Sequence, residues 1–598
     1  MARDEPAEPE PALAWRRVAR AVALPAAVTV VVLLVVPATL GHYWIFLLTS
    51  GVVAIPIMQS LGVITGRVGV ISLCQMSFAM IGAWVVGWCN VAEVPGGFAA
   101  WMVLAGLAAV PAGLLIGLPA LRLRGVNLAI ATFTFATAVD VVFGPLQYPG
   151  AENFSFVTRP AGFTSDGGYF RFAVIVVALL FVALALLDRS RLGASWLELR
   201  YSERGAAAHG TNVARGKLAA FAVSAFIGGV GGALLVGQAG STTPTAFSSQ
   251  ISLTYFAIAV VIGVRHWDAA VIAGLTGALM PVLMDAVHVP QAYVKVLFGV
   301  LAVLVIAEGR GQLGQSEIIR ARRQAKLARQ HTTAARPPAT VTPRTPRPDA
   351  AGDHDRPTAL EIRDLTVRFG TVTAVDDVSF AVPKGSVVGL IGPNGAGKST
   401  LINAATGFTP CTGSVFLDGK PITGPPHRRA RAGLRRSFQQ LRVPPTLTAG
   451  RFVSTAAGRT PHADELAEYL DWFGCPPAHL PIGTMDVGSR RMLEVAGLVA
   501  GRPSMLLLDE PAAGQGARER RLLGGRIAQI PERTGTSVLL VEHDLELVRL
   551  ACESLIVIDF GRVIAHGDPE SVLADPEVVR AYLGSAEAPS PGRTPVGN

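Results

Sequence analysis

At 598 residues, half of them apolar, with a mean hydropathy of +0.43, the chain is too long for one hydrophobic core and too apolar for an ordinary soluble enzyme. Its formal charge of +9 does not mark a nucleic-acid binder, because much of the Lys and Arg flanks apolar segments, as cytoplasmic membrane flanks require. Cys74, Cys89, Cys411, Cys475 and Cys552 show neither C-x-x-C nor zinc-ligand spacing and read as reduced packing residues.

Arg16, Arg17 and Arg20 precede an apolar run that lacks a small-residue cleavage pattern, so no cleavable signal is expected. A hydrocarbon core about 30 Å thick takes about 20 apolar residues per helix, and about ten segments of residues 1–310 read as spans. They run over 18–40, 42–64, 69–89, 98–119, 126–146, 170–187, 218–238, 251–264, 269–287 and 292–307. Positive charge collects in alternate loops, at Arg67, at Arg122 and Arg124, over Arg189 to Lys217, at Arg265 and at Arg310. The opposite loops carry chiefly Glu93, Glu152, Arg159, Asp166 and Arg171, which predicts that both ends of this half are cytoplasmic.

Gln75, Ser77, Asp140 and Lys295 fall inside these spans. An intramembrane charge faces a cavity, a partner or a counter-ion rather than lipid, which leaves Asp140 either a packing or interface role or a place on a translocation path. Gln75 and Ser77 can satisfy backbone in a broken helix or line a path. Gly228-Gly229-Val230-Gly231-Gly232-Ala233 is a run that lets helices approach closely.

Leu118-Pro119-Ala120-Leu121-Arg122-Leu123-Arg124-Gly125 and Arg189-Ser190-Arg191-Leu192-Gly193, with Glu203 to Val213 after it, resemble the permeases of branched-chain amino-acid ABC importers. Sugar and urea permeases share that architecture. The resemblance implies a cytoplasmic coupling helix that docks on an ATPase, matched here by Glu203, Ala206, Ala208 and Gly210, with Gly205 where an alanine is usual. Residues 311–356 form a basic and then Pro-rich linker; its Arg320 to Arg329 run suits either an anionic lipid surface or plain solvation.

Beyond the linker, Gly392-Pro393-Asn394-Gly395-Ala396-Gly397-Lys398-Ser399-Thr400 follows an apolar strand and opens a helix, which is the context the G-x-x-x-x-G-K-[ST] phosphate loop requires. Its glycines let backbone N–H groups converge on ATP or GTP phosphates, Lys398 reaches the β/γ-phosphates and the Ser399 hydroxyl meets Mg²⁺. The strand ending in Asp509-Glu510 supplies a carboxylate for Mg²⁺ and one to polarise the attacking water, and a second strand delivers His543 toward the γ-phosphate and Glu510. This half resembles the ATPase of the same importers, a likeness carried also by Thr406-Gly407-Phe408 and by Arg580-Ala581-Tyr582-Leu583-Gly584. The resemblance implies adenine stacking by Phe369 and sensing of Mg²⁺ and permease by Gln439, with Gln440 as the fallback. The signature that closes the opposing subunit's site departs from the Leu-Ser-Gly-Gly-Gln type: Met485-Asp486-Val487-Gly488-Ser489 keeps Gly488 but puts Asp486 against phosphate. Gly514-Gln515-Gly516-Ala517 likewise has a glycine where the family usually has a polar residue.

The expected chain is therefore multidomain: an all-α polytopic membrane domain over 1–310, the linker, an α/β P-loop NTPase domain of ABC type over 357–585, and a disordered tail over 586–598. The expected function is that of a fused permease and ATPase subunit of an importer for branched-chain or related hydrophobic amino acids, using ATP and Mg²⁺. The implied partners are a second permease, a second ATPase, an extracytoplasmic substrate-binding protein and the lipid bilayer, with no nucleic acid. The implied place is the cell membrane, with the N-terminus and ATPase cytoplasmic. Urea or amide import, an ABC exporter and a non-transporting ATP-dependent regulator are the rival readings.

Overall fold

The computed structural model describes residues 29–290, 292–307, 356–441 and 443–584. Nearly all of the expected linker, the expected tail and the start of the first expected span lie outside these residues. The chain divides into two compact units, Met1–Arg200 with Ala214–Arg322, and Tyr201–Val213 with Arg323–Asn598.

The first unit is helical. Its helices are α1 (Thr29–Thr39), α2 (His42–Leu61, continued by a π-helical turn over Gly62–Val68), α3 (Gln75–Val91), α4 (Gly97–Gly117), α5 (Val126–Phe143), α6 (Asp166–Arg189) and α7 (Arg191–Tyr201). After α8 (Glu203–Ala208), which belongs to the second unit, come α9 (Val213–Ala239), α10 (Ser249–Ile262), α11 (Trp267–Ala286) and α12 (Ala292–Ala307). Among the described residues, seven helices are long and apolar enough to cross a membrane, against about ten expected spans. The third expected span is corrected at its start: Gly69, with φ of 76°, ends the π turn, residues 69–74 are not helical, and α3 opens only at Gln75. The run Gly228 to Ala233 packs as expected, for a Cβ on Gly232 would stand 1.8 Å from the Ala79 carbonyl oxygen. Asp140 caps a helix: its Oδ2 accepts the Ser249 N–H at 2.8 Å, at the start of α10. Lys295 is exposed on α12.

The second unit contains two sheets. A four-stranded sheet has the order β2 (Val372–Pro383), β1 (Thr358–Phe369), β4 (Thr412–Leu417), β5 (Lys420–Pro421), and a six-stranded sheet the order β10 (Arg562–Gly567), β9 (Ser554–Asp559), β3 (Val387–Ile391), β8 (Ser537–Val541), β7 (Met505–Asp509), β6 (Leu434–Arg436). Strands β3 (Val387–Ile391), β7 (Met505–Asp509) and β8 (Ser537–Val541) pair in parallel and are buried at every residue. Their near-continuous apolar runs are what a parallel sheet covered on both faces demands. The carboxyl ends of these three strands lie side by side and deliver Gly392, Asp509-Glu510 and Glu542-His543 to one edge, where ligands of open α/β sheets bind.

Candidate functional site: a phosphate loop and its coupling segment

Strand β3 runs into the loop and the loop into α13 (Lys398–Ala405). Gly397, with φ of 103°, is the residue before that helix, and a Cβ there would meet the Ala374 carbonyl at 2.5 Å; a Cβ on Gly392 would meet that of Ile558 at 2.0 Å. Only glycine fits either place. Among the described residues no side chain caps α13, so its first N–H groups stay directed at the loop. Asn394, Gly395 and Ser399 are exposed and Thr400 half-buried. The Lys398 ammonium is folded onto the loop, donating to the carbonyls of Gly392 at 2.6 Å and Pro393 at 2.9 Å. Burial lowers its pKa, against the opposing pull of Glu510 and Asp509.

The loop's neighbours converge as follows. Gln439 Nε2 donates to Glu510 Oε2 at 2.7 Å, which pairs Glu510 with the preferred glutamine. Asp509 Oδ2 takes the Arg436 guanidinium at 3.0 Å, both side chains buried. Burial pushes that guanidinium down to about 10 and the Asp509 carboxyl up, and each partner's charge opposes the other's shift. Phe369 stands exposed at the end of β1 (Thr358–Phe369). His543 does not reach Glu510: its partner among the described residues is Glu542, 3.8 Å away, and its side chain is 63 % exposed. The strand brings histidine to the edge shared with Gly392 and Asp509-Glu510, but the turn after β8 directs it to solvent.

The signature segment shows what Asp486 does. It is the N-cap of α16 (Val487–Ala500, counting α14 as Pro426–Arg431 and α15 as Ala449–Ala457). Its Oδ1 accepts the Ser489 N–H at 2.7 Å and its Oδ2 the Ser489 hydroxyl at 3.0 Å. The helix end that would face a phosphate thus already holds a carboxylate of its own. The Glu519 carboxylate lies beside Gly488 as well, 3.3 Å from where a Cβ would be.

Sequence reasoning missed a buried pair behind this edge. Arg491 Nη1 donates to Glu494 at 2.6 Å and to the Phe438 carbonyl at 2.8 Å, and its Nη2 to the Gln439 carbonyl at 2.6 Å. The α16 helix is thereby tied to the backbone of the glutamine that touches Glu510. The signal was an Arg and a Glu three residues apart on the otherwise apolar face of a helix.

The segment Tyr201–Val213 belongs to the same compact unit. Ser202 caps α8 through the Gly205 N–H, Glu203 sits in its first turn, and Ala206, Ala207 and Ala208 are buried. Gly210, with φ of 90°, presents its carbonyl to Arg431 Nε of α14 at 2.7 Å. The His209 ring stands edge-on to Phe452 of α15, centroids 5.9 Å apart.

Comparison with known proteins gives this arrangement its family. Residues 43–306 match the permease component of branched-chain amino acid transport systems, residues 375–513 the ABC transporter ATPase, and residues 562–588 the branched-chain amino acid ATP-binding cassette transporter. Over 250 residues the chain is 38% identical to the high-affinity branched-chain amino acid transport ATP-binding protein BraF of Pseudomonas aeruginosa, covering 38% of this chain and 98% of that protein. It is 34% identical over 250 residues to the corresponding protein LivG of Escherichia coli K12, with the same coverage. A solved ATP-binding cassette of an ABC transporter in its ADP conformation aligns at 27% identity over 38% of this chain and 99% of that one, TM-score 0.35. A membrane permease and a nucleotide-binding ATPase in one chain define an ABC transporter subunit, in which ATP hydrolysis is coupled to transport. The chain belongs to the branched-chain amino acid family of these transporters.

Proposed function

We propose that this chain is a subunit of an ATP-driven importer that carries branched-chain or related hydrophobic amino acids into the cytoplasm. The observation that carries the reading is the meeting of Lys398, Asp509 and the Gln439–Glu510 pair at one edge of a sheet, in a chain whose other unit matches a permease. The site lies in a cell membrane protein with its N-terminus and ATPase in the cytoplasm, as the loop charges favour.

Lys398 exchanges the Gly392 and Pro393 carbonyls for the β/γ-phosphates, whose other oxygens meet the loop N–H groups and the α13 N-terminus. The exposed Ser399 hydroxyl, the Asp509 oxygen not given to Arg436 and the Gln439 side-chain oxygen would supply an oxygen-only donor set, the chemistry that suits Mg²⁺. Bound there, Mg²⁺ supplies neutralisation of phosphate charge. Glu510 polarises the attacking water once Gln439 gives up their hydrogen bond, and Phe369 stacks on the base. His543 reaches the γ-phosphate only by turning inward from its exposed position.

Asp486 determines the partner. This chain's loop and carboxylates form one intact half-site, whereas its own signature offers a carboxylate-capped helix to the opposing nucleotide. The productive assembly pairs this chain with a second, different ATPase and a second permease, served by an extracytoplasmic substrate-binding protein. Reconstitution of that assembly in proteoliposomes tests the reading: leucine, isoleucine or valine accumulates with ATP, and robust hydrolysis by this chain as a strict homodimer contradicts the pairing.

A further inference from the structure

The link between α2 and α3 places backbone deep in the membrane unit. Arg67 pairs with Asp188 at the end of α6, yet Gln75 Oε1 accepts from Ser60, about two helical turns or roughly 10 Å further back along α2. Residues 69–74 therefore turn back into the helical unit, and α3 begins inside it. Non-helical backbone at such depth is tolerated where it is buried in protein or lines a cavity.

Hydroxyls from four helices hold this re-entry. Thr132 of α5 accepts the Leu73 N–H at 3.1 Å and Ser252 of α10 the Met76 N–H at 3.0 Å. Ser60 of α2 and Ser224 of α9 bond to each other's carbonyls at 2.8 Å. These groups are satisfied and read as structural. Three others are not: among the described residues, Gln75 Nε2, Ser77 Oγ and both polar atoms of the Gln59 amide have no partner, in residues that are 2%, 1% and 1% exposed. Gln75 and Ser77 occupy the first turn of α3, a 17-residue helix whose own N-cap residue, Cys74, makes no side-chain cap and whose first turn has no acidic residue. Two side-chain donors of one helical turn thus lie at the positive end of that helix's dipole. A packing role would have paired them, since an unmade buried hydrogen bond is destabilising. Interrupted membrane helices use such N-termini to take anionic groups of a transported solute.

We propose that the N-terminus of α3, with Gln75 and Ser77, binds the carboxylate of the amino acid in transit. The assignment rests on the reading that amino acids are the cargo.

The test uses the full complex with its partner subunits and binding protein in proteoliposomes, scoring leucine uptake in parallel. Ser77→Cys, nearly isosteric, is placed in a Cys74→Ala, Cys89→Ala background and probed with the anionic thiol reagent 2-sulfonatoethyl methanethiosulfonate. Labelling is expected during ATP turnover, slowed at least tenfold by leucine and not by leucinol, which lacks the carboxylate. No labelling in any state, or labelling indifferent to leucine while the unmodified complex takes leucine up, overturns the site and leaves the importer reading standing. Failure of the unmodified complex to take up any branched-chain amino acid overturns both. As a second variant, Gln75→Met lowers uptake at least tenfold while binding-protein-stimulated hydrolysis persists; unchanged uptake counts against the site.

Discussion

Arg491 and Glu494 are the residues whose exchange says most about the ATPase unit. Removing one member of a buried ion pair strands the other, at a cost of about 3–5 kcal/mol, so Arg491→Met is expected to lower the melting temperature of the complex. Adding Glu494→Leu removes the stranded charge and restores most of that stability, but the Phe438 and Gln439 carbonyls stay unheld. Hydrolysis is therefore expected to remain depressed in the double variant; full recovery means the arginine serves only packing. At the surface, the Arg459 hydrogen bond pulls Glu465 down to about 2, below its ordinary 4.5. A depressed carboxyl stabilises above its unfolded value, so this contribution is complete above about pH 4.5 and is lost as pH falls toward 2. Melting curves should show Glu465→Gln less stable than the parent at pH 7, with the gap closing below pH 4.5.

Among the elements, helix α16 opposes two demands on its N-terminus. Asp486 is a good cap, and Asp486→Ala is expected to cost about 1 kcal/mol. Asp486→Ser keeps a cap while removing the charge, so stability should hold and ATP turnover by the complex should rise as the reciprocal site gains function. Unchanged turnover in that variant places the impairment elsewhere, for instance at Gly514-Gln515-Gly516. The elements also show where sequence is a sufficient guide. Strands β3, β7 and β8 were legible because each is a contiguous apolar run ending in its chemistry, and the phosphate loop because its spacing fixes its geometry. The break at 69–74 was not, because Val70, Ile71, Leu73 and Cys74 are as apolar as a spanning helix and the polar groups that hold them open come from α5 and α10. Asp140 capping Ser249 and Arg436 facing Asp509 were hidden for the same reason: each joins residues far apart in the chain. The apolar run of β8 puts His543 beside the ends of β3 and β7, but the side-chain direction after a strand is set by the turn, which apolar pattern does not report.

For the whole molecule, the division of the chain is itself informative. The helix bearing Ala206 and Ala208 interrupts the permease sequence yet lies in the compact unit of the ATPase, held by Arg431 on Gly210 and by His209 on Phe452. A charge at buried Ala208, as in Ala208→Asp, is expected to uncouple the complex, with basal hydrolysis kept and uptake reduced at least tenfold. Equal losses of both activities indicate misassembly instead. Hydrolysis at this chain's own phosphate loop is expected to drive amino-acid import. This is tested most directly by ATP-dependent leucine uptake into proteoliposomes carrying the complete complex, with the parent chain beside Lys398→Ala and Glu510→Gln. Uptake by the parent and its abolition in both variants is the predicted result; full uptake by either variant contradicts it.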